Sequence, residues 1–146
     1  EDYLTKLGHS VADGADQLYF PLDGEGYILP TRGMTLPDTE KLIHIEPVDL
    51  WIDRAVLHFF NKEEEQKAYW DLVHQIVKPG GFVLIAAFSL DGAEKCCGLP
   101  VHRYSADMLK NDIGEGFDLK DASDYTFINP RGGERPYVYT LFQKKN

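Results

Sequence analysis

Basic residues and long apolar runs are scarce in this sequence. Lys and Arg together number 15 against 24 Asp and Glu, which gives a formal net charge of −9. Nucleic-acid binders usually carry a basic stripe, and an acidic surface is repelled by anionic membranes. The longest apolar run, residues 82–88, is far too short to span a bilayer. No charged-then-apolar leader opens the sequence. We therefore expect neither a nucleic-acid nor a membrane partner, which leaves a small molecule or another protein.

Cysteine is also scarce, with only the adjacent pair Cys96 and Cys97. Adjacent cysteines rarely bridge each other because the geometry is strained, so the chain is not a disulfide scaffold and a reducing, cytoplasmic setting is expected. His102 adds a third soft ligand, but zinc usually requires four ligands or an open water site, and no metal is predicted. The pair could line a substrate loop, pack as small apolar side chains, or act as a thiol sensor.

The sequence after Pro47 has the pattern of an α/β sheet. The predicted elements are a strand at 48–52, a helix from the N-cap Asn61 (with Glu64 in a capping box) to Val77, a turn at 78–81, a strand at 82–88, a short helix capped by Ser105 to about Asn111, and strands at 117–119, 125–128 and 137–142. A continuous apolar run such as 82–88 fits a parallel strand covered on both faces. The first strand, helix and second strand form a βαβ unit, which is right-handed by default.

The sequence before Pro47 is richer in Gly, Pro and Asp, and the elements predicted in it are less regular. We expect a helix end at 2–7 and short strands at 9–12, 17–22, 26–29 and 41–45. The length suits one domain with a single core. We therefore expect a single domain over 1–146, with a divergent part at 1–47 and a regular part at 48–146.

Three local motifs, taken in their order along the chain, resemble class I S-adenosylmethionine-dependent methyltransferases. They are the strand and loop Asp49–Phe60, the "KPGG" turn Lys78–Gly81 with the strand after it, and the loop Asp91–Ser105, where this family usually has Ser in place of Cys97. The resemblance is to the small-molecule enzymes of the thiopurine and tellurite-resistance types, and it covers about two-thirds of the chain. It implies a Rossmann-like sheet with helices on both faces, and strand order 3-2-1-4-5-7-6 with strand seven antiparallel.

The resemblance also implies a cofactor, S-adenosylmethionine, and part of its site. The family binds the cofactor ribose with an acidic residue that closes the second strand, and Asp13 or Asp16 is the candidate here. The family's G-x-G-x-G loop is expected upstream of residue 2, since residues 23–26 hold the only G-x-G of the sequence. The sheet is therefore expected to be incomplete or rearranged in its N-terminal half. In the family's order strand one lies at the centre of the sheet. Its position would be filled here by N-terminal segments, by a partner chain or by upstream residues.

Asp53 and Arg54 end a predicted parallel strand, at the edge where open α/β sheets bind their ligands. We expect them to contact the cofactor or the methyl acceptor, although a local ion pair or cap would also explain them. His58 follows in the loop. It is a candidate general base because histidine titrates near neutrality, and packing against the helix is the alternative.

Phe88, Cys97, Arg103 and Tyr104 are the candidate residues of an acceptor pocket, with plain core packing as the alternative for Phe88. The function that the resemblance implies is methyl transfer from S-adenosylmethionine to a small molecule. The alternative is a non-catalytic, methyltransferase-like module that binds or oligomerises through a sheet edge.

Overall fold

The computed structural model describes residues 17–22, 25–30 and 47–146. The chain forms two compact units, Glu1–Ile45 and Glu46–Asn146. In the first unit, β1 (Gln17–Leu22) pairs antiparallel with β2 (Glu25–Pro30), which confirms the two strands predicted there. The segments predicted at 2–7, 9–12 and 41–45, and the candidate ligands Asp13 and Asp16, lie outside the described residues.

The second unit is a mixed four-stranded sheet with two helices. Its elements are β3 (Val48–Arg54), a 3-10 turn (Leu57–Phe59), α1 (Glu63–Ile76), β4 (Val77–Phe88), β5 (Lys95–Cys96), β6 (Leu99–Pro100), α2 (Ala106–Ile113), β7 (Phe117–Ile128) and β8 (Glu134–Lys144). The sheet order is β3-β4-β8-β7. β3 and β4 are parallel, whereas β8 runs antiparallel to both neighbours. This is the 4-5-7-6 part of the predicted order, and the Rossmann-like α/β class is confirmed.

The first turn of α1 differs from the prediction. The helix begins at Glu63 and its N-cap is Lys62, whose backbone N–H donates to the Glu65 carboxylate at 3.4 Å. Asn61 does not cap the helix because its side-chain amide donates to the carbonyls of Phe59 and Pro100, at 3.2 and 3.0 Å. The three glutamates of the first turn still suit the positive end of the helix dipole.

The KPGG segment was predicted as a turn, and the structure makes it part of β4. The register with β3 jumps from Val48 opposite Val77 to Leu50 opposite Phe82, so residues 78–81 form an irregularity within the strand. A Cβ on Gly81 would lie 3.0 Å from the Asp49 carbonyl oxygen, which explains why glycine stands there. The Lys144 ammonium donates to the carbonyls of His74 and Val77 at the end of α1.

Two other elements match or extend the prediction. Ser105 caps α2 as expected, since its Oγ accepts the Met108 N–H at 3.2 Å. The two weak strands predicted at 117–119 and 125–128 are one continuous strand, β7, which pairs with β8 along its whole length. Their polar residues obscured this continuity in the sequence.

Both helices cover the same face of the sheet, called here the helix face. Tyr69 of α1 bonds to Trp51 and Asp53 of β3, and the Nε2 of His74 in α1 donates to the carbonyl of Ile113 in α2 at 2.6 Å. The sheet residues buried on this face are Trp51, Asp53, Val83, Ile85, Ala87, Val138, Thr140 and Phe142. The neighbouring positions Leu50, Ile52 and Phe82 are 48%, 54% and 38% exposed on the opposite face, called here the open face.

Candidate functional site

The carboxyl end of β3 places Asp53 and Arg54 on opposite faces of the sheet, because successive strand residues point to opposite sides. Asp53 is only 2% exposed. Its Oδ1 accepts the Val56 N–H at 2.9 Å, and its Oδ2 accepts the Leu57 N–H at 3.0 Å and the Tyr69 hydroxyl at 2.5 Å. Asp53 therefore organises the turn that follows β3.

Burial raises the pKa of Asp53, while the Tyr69 hydroxyl and the two backbone donors partly oppose that rise. Tyr69 in turn accepts the indole N–H of Trp51 at 3.0 Å, so the three side chains form one buried hydrogen-bonded chain. Both oxygens of Asp53 are occupied within the fold. Its contact with a cofactor stays a prediction, and the buried carboxylate would have to become accessible for it.

Arg54 lies on the open face among aromatic side chains. Its guanidinium carbon is 4.7 Å from the ring centroid of Tyr137 and 5.0 Å from that of Phe127. Its Nε donates to the Tyr139 hydroxyl at 3.1 Å, and this bond is the main cause that raises the pKa of Arg54. Stacking and the hydrogen bond fix the plane of an exposed cation at the ligand-binding edge of the sheet. Such a group is suited to hold an anionic or polar part of a ligand.

His58 is fully buried in the 3-10 turn. Its ring packs edge-on against Phe88 and Phe59, at centroid distances of 4.7 and 4.6 Å. Its Nδ1 accepts the Phe88 N–H at 3.4 Å, and its Nε2 has no hydrogen-bond partner among the described residues. Burial lowers the pKa of His58 to about 4, so the imidazole is neutral at physiological pH. Because Nδ1 accepts from Phe88, the neutral ring carries its proton on Nε2, and it could act as a base only after releasing the Phe88 N–H. The catalytic role of His58 stays a prediction.

Phe88 and Tyr104 are brought together near His58 at the carboxyl end of β4. The Tyr104 N–H donates to the Phe88 carbonyl at 2.9 Å, and the His102 N–H donates to the His58 carbonyl at 2.7 Å. Both aromatic side chains are at most 1% exposed, and burial raises the pKa of Tyr104. Tyr104 also lines a cleft of about 290 Å³ with Ser89 and Asp91. Ligand contact by either ring stays a prediction.

Arg103 holds the loop that follows β4. Its Nη1 donates to the carbonyls of Leu90 and Gly92, at 2.9 and 3.1 Å, and its Nη2 lies 3.7 Å from the Glu94 carboxylate. These contacts tie Arg103 to the loop after β4, whereas the sequence predicted it as part of the wall of an acceptor pocket. Its predicted substrate contact is untested.

Cys97 is the exposed member of the four predicted acceptor residues. It stands with Gly98 at the tip of the short hairpin formed by β5 and β6, where Cys96 pairs with Leu99. Cys96 packs against the apolar cluster of Ala86, Phe88 and Tyr137. The hairpin therefore closes the carboxyl end of the open face beside Arg54.

The aromatic partners of Arg54 were not identified from the sequence. Tyr137 and Tyr139 alternate along β8, and Tyr125 and Phe127 alternate along β7, so each pair projects to one face. That alternation in the sequence predicts that the two aromatic side chains of each strand share a face. The face on which it lies, and its approach to Arg54, follow only from the pairing of β7, β8, β4 and β3. Tyr125 and Tyr139 also line a groove of about 480 Å³ on the open face, with Leu84.

Among residues 47–146 and the β1–β2 hairpin, no group of three or more His, Cys, Asp or Glu side chains is arranged to hold a metal ion. In the same part of the chain, no helix is long and apolar enough to cross a membrane.

Solved structures with similar folds are S-adenosylmethionine-dependent methyltransferases. One from Methanosarcina mazei is 14% identical with a TM-score of 0.55, over 70% of this chain and 61% of its own. The N-methyltransferase NodS from Bradyrhizobium japonicum is 12% identical with a TM-score of 0.52, over 72% and 57%. The Burkholderia thailandensis 1,6-didemethyltoxoflavin N1-methyltransferase, solved with S-adenosylhomocysteine, is 17% identical with a TM-score of 0.51, over 72% and 48%.

These similarities define the class of fold, a class I methyltransferase sheet. No family model matches the chain, and no curated protein does. The chain spans about half to three-fifths of the length of the structures that it resembles. What the chain has in common with them is therefore the fold.

Proposed function

We propose that this chain is part of an enzyme that transfers a methyl group from S-adenosylmethionine to a small-molecule acceptor. The observation that carries the proposal is the position of Arg54. It is an exposed cation, fixed by Tyr139 and two aromatic rings, at the carboxyl end of a parallel strand. Ligands of open α/β sheets bind at this edge.

The described residues supply one side of such a site. The cofactor would bring the methyl group, and ribose binding by Asp13 or Asp16 stays a separate prediction. Arg54 would orient the cofactor or the acceptor, and the cleft beside Tyr104 would receive part of the acceptor. Methyl transfer is an in-line displacement that depends on how the reactants are held, so a fixed side chain such as Arg54 is more useful than a mobile one.

The proposal also accommodates a neutral base. The pKa of His58 is held at about 4 by burial, so its imidazole stays unprotonated in the cell. His58 would need access to the acceptor past the rings of Phe59 and Phe88 that now enclose it. The partner expected of this enzyme is its small-molecule acceptor, and its expected location is the cytoplasm.

Calorimetric titration of the natural full-length protein with S-adenosylhomocysteine tests the proposal. We expect saturable binding, and an Arg54→Met variant should bind about tenfold more weakly, which corresponds to about 1.4 kcal/mol. Lys67→Met is the matched control, because Lys67 is an exposed cation of α1 whose hydrogen-bond partner is Asp71. No binding at millimolar ligand would refute the proposal. Equal binding by all three proteins would remove Arg54 from it.

One observation favours the alternative of a non-catalytic module that associates through a sheet edge. Among the described strands, β3 pairs with β4 alone, and its Leu50 and Ile52 side chains are about half exposed. An unpaired strand edge is a template for another chain. This alternative predicts a concentration-dependent dimer that binds no cofactor and that Ile52→Lys dissociates. Sedimentation velocity of the full chain separates the two functions, since a monomer that binds cofactor rules the module out.

A further inference from the structure

The adjacent cysteines form a second feature of the open face, separate from Arg54. The Sγ atoms of Cys96 and Cys97 lie 4.0 Å apart. Consecutive side chains of an extended strand point to opposite faces, so two neighbouring thiols do not normally meet. Here they meet because Cys97 has a positive φ of 52°, which turns its side chain back toward Cys96.

The backbone conformation at Cys97 is costly for this residue type. Cys97 and Gly98, with φ of 52° and 80°, are the two central residues of the hairpin, and positive φ at both defines a type I′ turn. Asn, Asp or Gly is preferred at the first of these positions, and a cysteine there is strained. Strain of this kind is a reason to look for a function of the side chain.

The turn that carries the two thiols is open to solvent on the side of Cys97, whereas Cys96 is half-buried. Cys97 is exposed, and a Cβ built on Gly98 would have no heavy atom within 4 Å. On the other side, Cys96 packs against the cluster that contains Phe88 and Tyr137. A ligand between the sulfurs would therefore have free access from solvent and an apolar wall behind it.

We propose that Cys96 and Cys97 form a dithiol site for trivalent, monosubstituted arsenic compounds. The gap of 4.0 Å is about twice a disulfide bond of about 2.05 Å, so it can receive one atom between the sulfurs. Soft thiolates select soft, thiophilic elements. Within the described residues no further side chains complete a metal cluster. The ligand that fits thus brings its own third substituent, which an aryl or alkyl group on arsenic provides.

The reaction is an exchange without oxidation. For an arsenical R–As(OH)₂, two As–S bonds form and two As–O bonds break. The two thiol protons leave with the two hydroxyl groups as water, and arsenic remains trivalent. Two thiols on one turn bind the same atom in sequence, and the second step is intramolecular. Linked binding of this type exceeds single-point binding by about 10²–10⁴. The site does not depend on the proposed methyl transfer.

Phenylarsine oxide is the probe, with the full chain kept reduced by a phosphine. Intact-mass spectrometry should show one phenylarsine group replacing two thiol hydrogens. The adduct should survive excess glutathione, a monothiol, and should be removed by 2,3-dimercaptopropanol. Cys96→Ser and Cys97→Asn should each bind at least about 100-fold more weakly and lose the probe to glutathione. Asn suits the turn, so Cys97→Asn stays folded.

Two results would overturn the proposal. The wild-type adduct could be stripped by glutathione as readily as that of the single variants, which would show attachment through one sulfur. The Cys96→Ser, Cys97→Asn double variant could retain the probe, which would place binding elsewhere. Far-UV circular dichroism of each variant establishes that a loss of binding is not a loss of fold.

Discussion

Strand β3 shows the contrast between the two faces of the sheet within one short segment. On the helix face Trp51 and Asp53 are 7% and 2% exposed, and each is hydrogen-bonded to Tyr69. On the open face the neighbouring Leu50 and Ile52 are about half exposed, and Arg54 stacks on aromatic rings. The helix face thus holds the fold together, while the open face carries the groups that remain available to a ligand or another chain.

The largest effect should come from paired truncations on the two faces. Ile85→Ala on the helix face removes a side chain with no exposed surface and should cost about 3–4 kcal/mol of unfolding free energy. Ile52→Ala removes the same atoms from a position that is 54% exposed and should cost less than about 1 kcal/mol. Urea denaturation of the full chain measures both. Equal losses would mean that the open face is covered in the folded protein.

The second effect is a pH dependence that originates in the buried His58. In the unfolded chain its pKa is near 6.5, whereas burial lowers the folded value to about 4. As the pH falls, the unfolded state binds the proton first. The stability contribution of neutral His58 is therefore complete above pH 6.5 and is lost as the pH falls toward 4. The loss between pH 7 and pH 4 should be about 3 kcal/mol.

His58→Phe has no titrating group and keeps a ring between Phe59 and Phe88. Its unfolding free energy should fall less steeply than that of the wild type over the same pH range. Denaturant unfolding at several pH values measures the difference between the two slopes. Parallel curves would show that protonation of His58 does not oppose folding.

A third, smaller effect compares two tyrosine hydroxyls. Tyr69→Phe leaves the Trp51 N–H without its acceptor and takes one donor from the buried Asp53, and should cost about 2 kcal/mol. Tyr139→Phe removes only the exposed bond from Arg54, and should cost less than about 0.5 kcal/mol. Thermal unfolding, monitored by circular dichroism, measures the loss of stability in each of the two variants. A larger loss for Tyr139→Phe would reverse the roles assigned to the two faces.

The features that sequence predicts well here are those with local causes. The apolar run at 82–88 predicts the C-terminal part of β4, and the Ser105 hydroxyl caps α2 three residues from its partner, Met108. The methyltransferase resemblance supplied the order of the strands. By contrast, Asn61 fits a local N-cap pattern but bonds to Pro100, 39 residues away, and no local pattern contains that contact.

The candidate site was predicted less completely for the same reason. Asp53 and Arg54 were singled out by their place at a strand end, and the structure puts them on opposite faces with unlike partners. The hydrogen bond from Arg54 to Tyr139 joins residues 85 positions apart, so it follows only from the sheet register. Likewise, KPGG has the composition of a turn, and only its place between the paired residues Val77 and Phe82 makes it part of a strand.

The smallest effect concerns the hairpin that closes the end of the open face. Cys97 occupies a left-handed conformation, with φ of 52°, that Asn tolerates better. Cys97→Asn should therefore raise the unfolding free energy by about 0.5–1 kcal/mol. The matched change Cys96→Ser leaves the turn alone and weakens packing against the Phe88 cluster, so it should lower stability slightly. If urea denaturation shows a higher unfolding free energy for Cys97→Asn and a lower one for Cys96→Ser, then Cys97 is retained at the expense of stability. That is expected for a residue with a chemical role. A loss on Cys97→Asn would show instead that the turn is not strained.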